Sequence, residues 1–113
     1  MSNITTHVLD ISLGRPAANV YVTLEALVGG TSWKEAGRAA TDNDGRVKTF
    51  YGGSALLAGT YRLSFDTHAY FAARQIDALY PQVIIIFEVK NSREHYHVPL
   101  LLSPYGYSTY RGS

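Results

Sequence analysis

The chain has 113 residues, with 10 lysines and arginines against 9 aspartates and glutamates, and it contains no cysteine. That length suits one domain, residues 1–113, able to bury roughly two thirds of its unfolded surface without a disulfide or structural metal. Near-neutral charge with no basic run excludes a nucleic-acid partner. The missing cysteines exclude disulfide frameworks, thiolate metal sites and cysteine nucleophiles together.

The amino terminus, Met1-Ser-Asn-Ile-Thr-Thr6, lacks the charged and apolar segments of a signal peptide. The longest apolar run, Val83 to Phe87, is too short to span a bilayer. The expectation is a soluble, cytoplasmic protein without a membrane partner. Thr6 to Leu13 is rich in strand-favouring residues and ends at a Gly14-Arg-Pro turn, which predicts strand one. Asn19 to Leu27 puts Val20, Val22, Leu24 and Ala26 on one face. Gly29-Gly30 then breaks the pattern and a weaker one resumes at Trp33, so the segment predicts a hairpin. Thr41-Asp-Asn-Asp-Gly45 has the chemistry of a tight turn, delivering Arg46 at the start of a short strand that runs to Phe50.

Gly52-Gly-Ser54 predicts a loop, and Gly59 to Asp66 alternates with Tyr61, Leu63 and Phe65 inward. Asp66-Thr67 can cap a helix in which Ala72, Ile76 and Leu79 share a face, and Pro81 lies beyond its end. Gln82 to Lys90 contains Val-Ile-Ile-Ile-Phe, which predicts a central strand covered on both sides. Along His95 to Ser103 the side chains alternate, so His95 and His97 point one way while Tyr96, Val98, Leu100 and Leu102 point to the core. A final strand, Tyr105 to Tyr110, follows the Pro104 turn. About seven or eight short strands and one short helix predict an all-β fold, a two-sheet antiparallel sandwich.

The chemistry-bearing residues are His7, His68, His95, His97 and Arg46. His-x-His on one strand face is compatible with zinc ligation, yet no cysteine or placed carboxylate completes a ligand set, so no metal is assigned. His68 reads as a solvent-facing residue near the helix cap. No nucleophile elbow, P-loop or dinucleotide glycine pattern is present, which argues against serine-triad esterases and nucleotide enzymes. An imidazole titrating near pH ~6.5 can activate water, and a guanidinium can hold a planar anionic or carbonyl-rich substrate. The residues alone leave open this hydrolytic reading and that of a binding or interaction module.

Thr6-His-Val-Leu-Asp-Ile-Ser-Leu-Gly-Arg-Pro-Ala17, Thr41-Asp-Asn-Asp-Gly-Arg46 and above all His95 to Ser113, ending Tyr110-Arg-Gly-Ser113, resemble the 5-hydroxyisourate hydrolases, transthyretin-related enzymes of purine catabolism. The match runs in collinear order over essentially the whole chain. The resemblance implies cofactor-free hydrolysis of 5-hydroxyisourate at an amide bond of its six-membered ring, yielding 2-oxo-4-hydroxy-4-carboxy-5-ureidoimidazoline. It implies a catalytic set of His7, Arg46, His97 and Ser113, with Tyr110 and Arg111 joining His7, Arg46 and Ser113 in binding substrate. It further implies a homotetramer, a dimer of dimers with sites where the dimers meet. The alternative within the same fold is a transthyretin-like carrier of small aromatic ligands.

Overall fold

The computed structural model describes residues 4–50 and 56–113, so the predicted Gly52-Gly-Ser54 loop lies outside the described residues. In chain order the elements are β1 (Ile4–Asp10), β2 (Arg15–Pro16), β3 (Tyr21–Val28), β4 (Ser32–Ala40), β5 (Arg46–Val47), β6 (Gly59–Phe65), α1 (Thr67–Ala72), β7 (Val83–Val89), β8 (Tyr96–Ser103) and β9 (Gly106–Thr109). One sheet runs β2-β1-β8-β9, with β5 also paired to β1, and the other runs β4-β3-β6-β7. The predicted all-β sandwich is the one observed.

Alternation makes the two sheets amphipathic. Ile4, Val8, Leu100 and Leu102 on one sheet meet Val22, Leu24, Leu63 and Phe65 on the other, all buried. Each such side chain contributes about 1.5–3 kcal/mol of burial. The predicted inward faces of the segments at 20–26, 61–65 and 96–102 are therefore the observed ones. Two polar residues of β1 also point inward and are satisfied there. The Thr6 hydroxyl donates to the Val98 carbonyl at 2.6 Å. Asp10 receives the amides of Ser12 and Leu13 and the hydroxyls of Ser12 and Tyr70. Burial alone would raise the Asp10 pKa, but these donors outweigh it and hold the carboxyl below its ordinary value.

Several predicted boundaries shift for local reasons. β1 starts at Ile4 and stops at Asp10, not Leu13, because the Asp10 carbonyl accepts the Leu13 and Gly14 amides and turns the chain. The strand after Arg46 is only two residues long. The helix is capped by the Asp66 side chain as expected, yet it ends at Ala72, and Gln75 adopts a left-handed φ of 58°. Its buried anchors are Thr67 and Phe71, while Ala72 and Leu79 are exposed.

Two topological corrections bear on the site. β7 is not central: it is an edge of its sheet, with Ile84 and Ile86 on the solvent side at 39% and 60% exposure. An unbroken apolar run reads as doubly covered, but here one of its faces has no layer over it among the described residues. Among the described residues every strand pairing is antiparallel except one, since β1 runs parallel to β8.

Candidate active site

The parallel pair fixes which residues of β1 and β8 are neighbours. Thr5 lies opposite His97 and His7 opposite Pro99, and β5 sets Arg46 opposite His7. Thr5, His7 and His97 all occupy the outer face of their strands, because the intervening residues Ile4, Thr6, Val8, Tyr96 and Val98 face the core. The register thus brings together side chains about ninety positions apart in sequence.

Arg46 is aimed by its turn. The Asp42 carboxylate accepts the amides of Asp44 at 2.9 Å and Arg46 at 3.0 Å, and the Arg46 carbonyl accepts the Asp42 amide at 2.9 Å. The amide bond from Arg46 holds the Asp42 carboxyl below its ordinary pKa, despite some desolvation. Gly45 donates to the Asp42 carbonyl and its own carbonyl accepts the Val8 amide at 2.7 Å, which ties the turn to β1. A side chain at Gly45 would collide with the Val8 carbonyl and would have to adopt a φ of +76°. Among the described residues no carboxylate pairs with the Arg46 guanidinium.

The chain end closes the site. Beyond β9 the Gly112 amide donates to the His97 carbonyl at 2.7 Å, an antiparallel bridge in the register already set by Leu100 opposite Thr109. Ser113 is thereby held in an open cleft of about 230 Å³ together with Thr5, Arg46, Lys48, His95 and His97. His7 stands beside this cleft on β1, between Arg46 and Pro99 in the sheet. Arg111 and Tyr110 turn elsewhere: both line a second cleft with Ile86 and Phe87 of the β7 edge. The Arg111 guanidinium lies 4.5 Å over the Tyr96 ring and donates to Glu94 at 3.0 Å and to the His95 carbonyl at 3.3 Å. Within one chain, then, three of the six residues implied by resemblance line one cleft, His7 stands beside it, and Tyr110 and Arg111 lie elsewhere. His68 is exposed beside the helix cap, far along the chain from this cleft.

Two residues at the site, Thr5 in the cleft and Gly112 beside it, were given no role by the sequence. Thr5 is identifiable only because it shares a strand face with His7. Gly112 is required by contact: a Cβ there would lie 2.5 Å from Cδ2 of His97 and 3.3 Å from its Cγ and from Cγ of Pro99. Gly112→Ala should therefore leave the thermal midpoint within a few degrees of native but displace the imidazole and lower kcat by about 10-fold or more, since roughly 1 Å of misplacement costs up to 10²-fold. Steady-state kinetics beside a melting curve decides this, and native kcat in the alanine variant would show that the ring does not depend on the tail.

Protonation of His97 is opposed first by burial and then by the positive charge of Arg46, with His7 and His95 adding to it, so its pKa lies below the ordinary 6.5. The sign has two consequences. Above pH 6.5 the imidazole is neutral whether folded or not. As pH falls below that value the unfolded chain takes up a proton that the folded one resists, so this group's contribution to stability declines. For a base the same shift is useful, because the neutral form persists further into acid. The acid limb of kcat/KM is expected to fall at a pH below 6.5, and to move upward in Arg46→Gln.

The fold and this cleft define an all-β sandwich of the transthyretin type carrying a histidine and arginine site on one sheet. The family model described as HIUase/Transthyretin matches residues 4–112. A Caulobacter vibrioides 5-hydroxyisourate hydrolase is 46% identical over 118 aligned positions, covering 100% of both chains. A Salmonella dublin 5-hydroxyisourate hydrolase is 43% identical, covering 97% of this chain and 80% of the relative. Among solved structures, Klebsiella pneumoniae 5-hydroxyisourate hydrolase superposes with a TM-score of 0.83 at 37% identity, over 97% of this chain and 98% of that one. Sea bream transthyretin in complex with thyroxine superposes at 0.91 with 26% identity, over 98% and 95% of the two chains. The chain belongs to the HIUase/Transthyretin family.

Proposed function

We propose that the protein hydrolyses 5-hydroxyisourate in urate catabolism, with His97 as the general base. The observation that carries this reading is the convergence of His97, Arg46 and Ser113 in one cleft, in a chain whose full-length relatives bear that enzyme's name. With Nδ1 of His97 taken up by Thr5 at 2.8 Å, the other ring nitrogen, Nε2, removes the proton from water. The oxygen of that water adds to the ring carbonyl carbon, and Arg46 stabilises the negative charge that gathers on the carbonyl oxygen. The amide C–N bond then breaks, and the proton passes to the leaving nitrogen, with His7 orienting the water or shuttling that proton. Ser113 contributes a hydroxyl for hydrogen bonding to substrate. No step requires a metal ion or cofactor.

Assembly belongs to the same proposal. The exposed apolar side chains of β7 and the outer edge of β9 offer two sheet edges for pairing between subunits. An open cleft on a sheet face gains a second wall when another copy packs over it. A dimer of dimers satisfies both, with Tyr110 and Arg111 completing the substrate pocket across an interface rather than within one chain.

The test is the ultraviolet decay of freshly generated 5-hydroxyisourate, followed with and without purified protein after exhaustive chelation. Acceleration that survives the chelator is the expected result. No acceleration would overturn the reading, and tight thyroxine binding in its place would favour a carrier. Acceleration lost in chelator and restored by zinc would overturn the metal-free route.

A further inference from the structure

The Thr5 hydroxyl is shared by two imidazoles. Its Oγ1 lies 2.8 Å from Nε2 of His95 and 2.8 Å from Nδ1 of His97. A hydroxyl has one hydrogen to give, so only one of these ring nitrogens can receive it. The other must itself carry a proton and donate to the oxygen. The hydrogen bond at one nitrogen of a neutral imidazole decides whether the other holds the lone pair. We infer that Thr5 and His95 are positioning residues for the reaction: the Thr5 hydroxyl donates to Nε2 of His95 and accepts from Nδ1–H of His97, so that Nε2 of His97 keeps its lone pair for water.

Both hydrogen-bond directions satisfy Thr5, and the surrounding charge selects between them. His95 is exposed, so water accommodates either of its tautomers. His97 is half-buried, and the groups that face it are positive or polar on almost every side. They are His7 from β1, Arg46 and Lys48 from β5 and the residue after, His95 from its own strand, and Ser113 from the tail. With Nδ1 engaged by Thr5, these positive surroundings favour a lone pair over an N–H dipole on the remaining ring nitrogen. The Glu94–Arg111 ion pair neighbours His95 but is self-neutralised. The arrangement that arms His97 is therefore the one the electrostatics support.

The kinetic consequence rests on His97 being the base, but the proton positions themselves do not.

The test combines spectroscopy with kinetics on the intact protein. Histidine-selective ¹⁵N labelling at about pH 8 should show His97 protonated at Nδ1 and bare at Nε2. Thr5→Val keeps the branched shape and strand preference but removes the hydroxyl, and it should lower kcat about 10-fold with KM within about twofold of native. Thr5→Ser restores the hydroxyl and should recover kcat to within about twofold. His95→Phe should cost about as much as Thr5→Val, and the double variant no more than the worse single one, because the three groups act as a unit. The inference is overturned by His97 protonated at Nε2 in the native protein, by native kcat in Thr5→Val, by a Thr5→Ser variant as slow as the valine, or by losses that multiply. A His97→Asn variant with full turnover removes the base assignment instead, and the ¹⁵N spectrum still decides the proton arrangement.

Discussion

His97→Asn is expected to lower kcat by about 10²–10⁴-fold while the protein stays folded, the span usual for loss of a positioned general base. Asparagine approximates the ring's size and can still bond to Thr5, so the strand and its pairing with β1 are kept. What it lacks is a nitrogen that can accept a proton near neutral pH. The core side of β8, with Tyr96, Val98, Leu100 and Leu102 buried, is untouched by the change. Turnover should be measured at pH 7 beside circular dichroism. A variant that is folded and fully active would remove His97 from the base role and leave His7 as the candidate.

Deleting Arg111 to Ser113 should abolish most activity and shift the thermal midpoint only slightly. The deleted residues supply one backbone bond to His97, an exposed ion pair to Glu94 and the Arg111 guanidinium over the buried Tyr96 ring, with no apolar core side chain among them. An exposed pair of this kind contributes about 0–1 kcal/mol. For the site the loss is larger: Ser113 leaves the cleft, and the strand of backbone lying against His97 is gone. Catalytic groups must be held within roughly 0.5 Å of productive geometry, which a free chain end does not achieve. On the proposed assembly, dilution of intact protein until tetramers part should also reduce activity per subunit. Full turnover in the truncated protein, or dimers as active as tetramers, would contradict a site built from the tail and an interface.

How far the sequence could be read depended on whether a feature is local. Gly59 to Phe65 shows its alternation outright, and Tyr61, Leu63 and Phe65 are buried as that alternation requires. The Asp42 turn and the Asp66 cap are equally local, and both form. Val83 to Val89 misleads because hydrophobicity does not say which surface covers it, another strand of the same sheet or a separate copy. The parallel run of β1 beside β8 leaves no periodic trace, so residues could place His7, Arg46 and His97 each on a strand without showing that they meet. Resemblance proposed that meeting, and the register supplies its geometry. The contacts of Thr5 and Gly112 stayed hidden for a related reason. One matters for a hydrogen bond and the other for an absent Cβ, and neither is visible until the partner ring is in place.

The pairing of β1 with β8 also dictates when the site can exist. Thr5 and His97 are 92 positions apart, so no partial chain holds both halves until β8 has been made. At about 5–20 residues per second, β1 waits several seconds on the ribosome for its parallel neighbour. During that time Thr6 has no Val98 carbonyl to bond and one edge of β1 is bare. Long-range contacts of this kind place β-rich folds among the slower two-state folders, typically milliseconds to seconds. Hydrolytic activity should consequently appear as one of the last events of refolding, after secondary structure and in step with burial of the β1–β8 seam, which makes regained turnover a sensitive clock for completion of the fold.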